Sequence, residues 1–199
     1  MGRSLRGAGQ LAVTTAQLIM ALLAALRPEV GMLFAAAIFL LVPCCKPPLE
    51  AVNRVKAPLV LIATSVTACV LFTVFCVEVL GVCGESNPLY CRLSPPTFYA
   101  TVLVSRLALA VPIVQLETVA LSLEPGSREY VEPMVRGLAW TLATLVAVNA
   151  VHDACTTLTP QYSPITYAAL NAVYDSPLIA AGALALTYAY LLRRELKGR

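Results

Sequence analysis

The chain has 199 residues, 59% apolar and only 13% charged, where a soluble domain is roughly half apolar and a quarter charged. The apolar residues fall in long runs, which excludes a soluble globular domain, and the short alternating segments of a transmembrane β-barrel are absent. A net charge of +3 spread over several short connections gives no basic patch for nucleic acid.

The pattern predicts an all-α polytopic membrane protein: one domain over 1–199, built as a six-transmembrane-helix bundle. Residues 1–10 carry Arg3 and Arg6 and no acid ahead of an apolar run. That is the shape of a signal peptide, read here as a retained first span over about 8–26. Arg27-Pro28-Glu29 ends it. A second span over about 30–45 has a short apolar part, rising only about 20 Å as a helix against a hydrocarbon core of roughly 30 Å. It must recruit flanking residues, tilt little or be re-entrant. A basic connection leads to a third span over 57–82 with Glu78 near its far end. A loop through Pro96 precedes the fourth span, 97–123. Glu124–Pro133 reads as a charged loop, 135–158 as the fifth span, and 165–192 as the sixth after a short turn.

Six spans put both termini on one side. That side collects eleven of the 14 Lys and Arg residues, among them Arg54, Lys56, Arg128, Arg136 and the Arg193-Arg194 pair. The other side holds Arg27 and Arg92, and Arg106 lies inside a span. The asymmetry predicts cytoplasmic N- and C-termini. Cys83 and Cys91 then share an outward loop, where a disulfide and two free thiols both remain open. Cys44 and Cys45 lie on the cytoplasmic side beside a span, as lipidation sites or as small residues at a helix end. With one His and no HxxxH, CxxC or carboxylate–histidine cluster, the sequence calls for no metal, and it calls for no cofactor.

Tyr174-Asp175-Ser176-Pro177 interrupts the sixth apolar run. A carboxylate facing lipid costs a few kcal/mol on insertion scales (about 3), and Pro177 leaves the carbonyl of Val173 without its helical partner. Arg106 and Asp175 fall at matched depth in the fourth and sixth spans, about 14–15 Å in, so the two charges are expected to pair. Asn149, His152 and Asp153 on the fifth span and Asn171 on the sixth supply further polar support, with Thr141, Thr144 and Thr156 extending the fifth-span stripe. The gathered groups read either as a polar pocket or as interhelical hydrogen bonding that holds the bundle together.

From about Ala57 onward, Val104-Ser105-Arg106, Ala139-Trp140-Thr141, Pro177, Ala181-Gly182 and Tyr188 follow an order and spacing that resembles the very-long-chain 3-hydroxyacyl-CoA dehydratases. That resemblance implies an endoplasmic reticulum enzyme of fatty-acid elongation, a lyase that removes water from a long-chain 3-hydroxyacyl-CoA. The chemistry takes a base for the C2 proton and an acid for the departing hydroxyl. The family's tyrosine and glutamate positions fall here on Ser176 and Ala183. Tyr174 and Asp175 are the candidate catalytic substitutes, with Arg106 orienting the carboxylate. Two other readings stand beside it: a non-catalytic, dehydratase-like partner of other membrane subunits, and a small transporter using the Arg106–Asp175 pair. The lipid bilayer is a partner under all three.

Overall fold

The computed structural model describes residues 19, 28–41, 46–85, 87–158 and 164–197. Among them the chain is all-helical, with no strand: α1 (Pro28–Leu41), α2 (Leu49–Arg54), α3 (Lys56–Val74), α4 (Pro95–Leu107), α5 (Ala110–Leu121), α6 (Pro125–Leu158) and α7 (Pro164–Lys197). Four helical stretches are long and apolar enough to cross a membrane: Lys56–Val79, Pro95–Leu121, Pro125–Leu158 and Val173–Arg194. They make this an integral membrane protein. They correspond to the third to sixth expected spans. The first lies outside the described residues. The second is the 14-residue α1, which rises only about 21 Å and belongs with the shorter apolar helices.

Three boundaries differ from the sequence reading, each for a local reason. Glu124–Pro133, expected as a loop, is helical from Pro125 on, so α6 runs for 34 residues. Proline suits a first helical turn because its missing N–H has no helical acceptor there, and Arg136 Nη2 lies 2.6 Å from Glu132 Oε1 one turn back. The fourth span is not one continuous helix. It breaks between α4 and α5, where Leu109 N–H turns back to the Arg106 carbonyl at 3.2 Å and Val111 N–H to the Ala108 carbonyl at 3.1 Å. Pro112 is the cause: it has no N–H for the Ala108 carbonyl and its ring crowds that oxygen. Finally, α3 passes into a π-helical turn over Phe75–Val79. Leu80 N–H then bonds the Phe75 carbonyl, Val82 N–H the Cys76 carbonyl, and Gly81 takes φ 63°. That left-handed position is one glycine fills without a Cβ penalty. Pro177 neither ends nor interrupts α7.

In lipid the apolar effect does not hold helices together, so close packing and polar contacts must. Small residues let the helices approach: Ala35, Ala139, Ala143, Ala183, Ala185 and Ala189 are all buried. At Gly182 the Phe39 ring of α1 lies so near that an added Cβ would fall 2.9 Å from two ring atoms. Around that contact Ile62, Leu109, Ile113, Leu142, Leu178 and Ile179 fill the core. α3 packs along α6, and α5 along α7, which leaves α4, α6 and α7 converging where the polar residues sit.

Candidate polar site of the bundle

Arg106 lies in the last turn of α4, just before the break that Pro112 imposes. Its guanidinium reaches two other helices. Nη1 lies 3.0 Å from Asp175 Oδ1 on α7 and donates to Asn149 Oδ1 on α6. Nη2 donates to Asp153 Oδ2 at 3.1 Å, one turn further along α6. Asn149 closes the arrangement by donating from Nδ2 to Asp175 Oδ1 at 3.1 Å. The amide orientation follows from its neighbours, since an arginine can only donate and an ionised carboxylate can only accept. Asp175 and Asn149 are buried, and the planar arginine fork suits such convergent acceptors better than a lysine would. The pairing of Arg106 with Asp175 expected from matched depth is present, and Asp153 joins it.

This centre forms the floor of a cavity of about 80 Å³. Its lining mixes apolar side chains such as Met32, Leu33 and Phe98 with the hydroxyl-bearing Thr73, Thr157, Ser105, Thr101 and Tyr99. Thr73 and Thr157 hydroxyls lie 3.5 Å apart across α3 and α6. Glu85, Asn87 and Leu89 line it from the connection that follows the π turn. Glu78 organises the rim by accepting from Tyr90 at 2.7 Å and Tyr99 at 3.0 Å through one oxygen. Tyr90, Phe98 and Tyr99 pack edge-on or tilted against one another beside it. Outside the spans, the hydrogen bond to Glu78 holds the Tyr90 phenol above its ordinary 10.0, with burial and the Glu78 charge adding to it.

The remaining sequence candidates separate. His152 and Tyr174 stack with ring centroids 4.0 Å apart, joining α6 to α7 beside the centre; neither residue lines the cavity. Both His152 ring nitrogens are buried without a hydrogen-bond partner, although Nδ1 lies 3.5 Å from Asp153 Oδ1. Tyr174 is half-buried. Asn171 has its side chain outside the described residues, and Cys44 and Cys45 lie outside them altogether. Cys83 and Cys91 are both free thiols, Cys83 half-buried and Cys91 exposed. The polar stripe expected along the fifth span is split: Asn149 is buried and His152 and Thr156 are half-buried, whereas Thr141 and Thr144 are exposed, and the Thr141 hydroxyl bonds its own helix at the Gly137 carbonyl. No cluster of three or more metal-ligating side chains occurs among the described residues.

Two features escaped the sequence reading. The connection after Gly81 supplies Glu85, Asn87 and Leu89 to the cavity lining, and only the turn-forming Gly81 with Asn87-Pro88 marked it as structured. The second is an ion-pair group at the opposite end of α6. There Arg54 meets Glu132 at 3.0 Å, Glu50 at 3.1 Å and the buried Glu117 at 3.9 Å. Glu117 sits in an apolar run of α5 and is the one clue the sequence carried.

No family model, no curated protein and no solved structure matches the chain.

Proposed function

We propose that the chain is a small membrane transporter that takes a proton or a small monovalent cation at the Arg106–Asp153–Asp175 centre. One observation carries the reading: a single guanidinium faces two carboxylates on the floor of a polar cavity. With both aspartates ionised the centre has one negative charge in excess, and Glu85 on the wall adds to it. A cavity of about 80 Å³ is several times the roughly 10–15 Å³ that one water needs, so it has room for a small cation with part of its water. Intramembrane ionisable groups that meet across helices are the usual parts of proton and ion pathways. The topology that goes with this proposal has six spans and both termini cytoplasmic, from the charge asymmetry. The dehydratase resemblance adds the endoplasmic reticulum as the membrane.

A second reading keeps the dehydratase chemistry. Its support is that Asp175 lines the cavity with Arg106 fixing one carboxylate oxygen, the orienting role that reading requires. Tyr174 would have to leave the His152 stack to act with it. In the third reading, a non-catalytic partner of a membrane complex, the same centre only holds three helices together.

The test uses the purified full chain in sealed vesicles under proton, sodium and potassium gradients in turn, each read by an indicator enclosed in the vesicles that responds to that ion. Flux above protein-free vesicles is expected, falling by roughly tenfold in Asp175→Asn, the equivalent of about 1.4 kcal/mol. Absence of flux under every gradient overturns the transport reading. Conversion of a long-chain 3-hydroxyacyl-CoA to its trans-2-enoyl product by the same protein, lost in Asp175→Asn, would establish the second.

A further inference from the structure

The π turn brings a second pair of reactive groups together. Cys76 lies within that turn and is buried, while Cys83, two residues beyond Gly81, is half-buried. The chain doubles back at Gly81 with φ 63°, and Val82 N–H reaches the Cys76 carbonyl at 3.3 Å. Cys83 therefore returns over the helix end it has just left, one residue beyond the backbone contact that Val82 makes with Cys76. Cys91, the partner that loop sequence suggested, lies instead in the 3-10 turn Tyr90–Arg92 and is exposed.

We infer that Cys76 and Cys83 form a reversible dithiol/disulfide pair that fastens the connection lining the cavity to the end of α3. The oxidant is a small disulfide such as oxidised glutathione. The half-buried Cys83 is the accessible thiol: as its thiolate it attacks one glutathione sulfur, breaking that S–S bond and releasing one glutathione thiolate. The Cys76 thiolate then attacks Cys83 Sγ of the mixed disulfide, forming the Cys76–Cys83 bond and releasing the second glutathione. Two protein thiols are oxidised, one external disulfide is reduced to two thiols, and the two protein protons pass to the departing glutathione thiolates. Exchange of this kind needs short approach, because a disulfide spans Cα atoms no more than about 7 Å apart. The bond closes a short ring around the π turn. Its consequence lies at the cavity, since Glu85, Asn87 and Leu89 follow directly on Cys83 and line it.

The experiment treats the reduced, detergent-purified full chain with oxidised glutathione. Free thiols are blocked with N-ethylmaleimide, the protein is reduced, and newly released thiols are labelled with iodoacetamide for mass spectrometric mapping. The second label is expected on Cys76 and Cys83, out of 7 cysteines in the chain. It should be unchanged in Cys91→Ser and lost from both positions in Cys83→Ser, with slower amide exchange over 81–94 in the oxidised wild type. A second label on Cys83 with Cys91, or on Cys83 alone as a glutathione adduct, overturns the pairing. Cys83→Ser rather than Cys76→Ser is the deciding variant because the buried Cys76 also packs in the helix.

Discussion

The two ends of α6 solve the same problem with the same residue types and reach different outcomes. Each end has an arginine from another helix bridging acids on separate elements. Glu132 and Asp153 mark the two groups, about 30 Å apart by helical rise. At the Glu132 end the side chains of Arg54, Glu50 and Arg136 are 33%, 63% and 64% exposed. At the Asp153 end Arg106 is 13% and Asp175 5% exposed, with only Asp153, at 28%, reaching water as Glu132 does at 25%. Where water reaches both partners, the pair gains little beyond what solvent already gives and holds α2 to α6 as one of several contacts. Where water is excluded, each charge depends on its partner, because an unpaired one costs far more than the pair contributes. Similar geometry therefore makes a clip at one end and an obligatory centre at the other.

Removing the arginine at each end breaks that comparison most directly. Arg106→Met leaves Asp175 buried beside Asn149 with no cation, and a broken buried pair costs about 3–5 kcal/mol. A large fall in the thermal midpoint of the detergent-solubilised protein is expected. Arg106→Met combined with Asp175→Leu should recover much of it, since a packed apolar replacement removes the orphaned charge, while Asp153 retains access to the cavity. If the double variant were no more stable than the single one, the two residues would not be energetically coupled, whatever their 3.0 Å separation.

Arg54→Ala is the matching change at the other end. Its contacts with Glu50 and Glu132 are exposed, so each is worth about 0.2–1 kcal/mol after screening. Glu117 is buried and keeps a more distant field from Arg128 and Arg136. The expected loss is about 1 kcal/mol, read as a small shift in the thermal midpoint that shrinks further in high salt. A loss as large as that of Arg106→Met would mean that Glu117 depends on Arg54 as Asp175 depends on Arg106, and the two ends would then be alike.

The sequence carried the inner pair more legibly than the outer group, for a physical reason. Arg106 and Asp175 interrupt apolar runs, so lipid cost alone makes them conspicuous, and counting residues from the span ends matches their depths. Arg54, Glu132 and Arg136 lie among other charges, where no residue is out of place, and only the tertiary packing of α2 on α5 brings the partners together. Helix ends followed the same rule. Pro112 lay in plain view, but a proline in an apolar run is compatible with a continuous helix, as Pro177 shows in α7. At Pro112 the Val111 N–H takes over the Ala108 carbonyl and the helix breaks there, while α7 runs on through Pro177, a difference local sequence does not reveal. Loop membership set Cys83 beside Cys91, and the return of the chain at Gly81 to the Cys76 carbonyl is a feature that loop membership does not announce.

The smallest effect comes from the rim, where a group with some access to water meets the inner site. Tyr90 donates to Glu78, and the folded protein holds the phenolic proton more tightly than an unfolded chain does, above the ordinary 10.0. Below that pH both states keep the proton and the hydrogen bond contributes in full. As pH rises past it, the unfolded chain releases its proton first, so stability falls with rising pH through the raised folded value. A thermal-midpoint series taken from neutral to alkaline pH should show a shallow decline in the wild type that is less steep in Tyr90→Phe. Tyr99 shares the same Glu78 oxygen, so part of the decline should survive the single substitution. A decline of equal steepness in both proteins would assign the alkaline loss elsewhere and leave the rim, like the Arg54 end, a contact that water can replace.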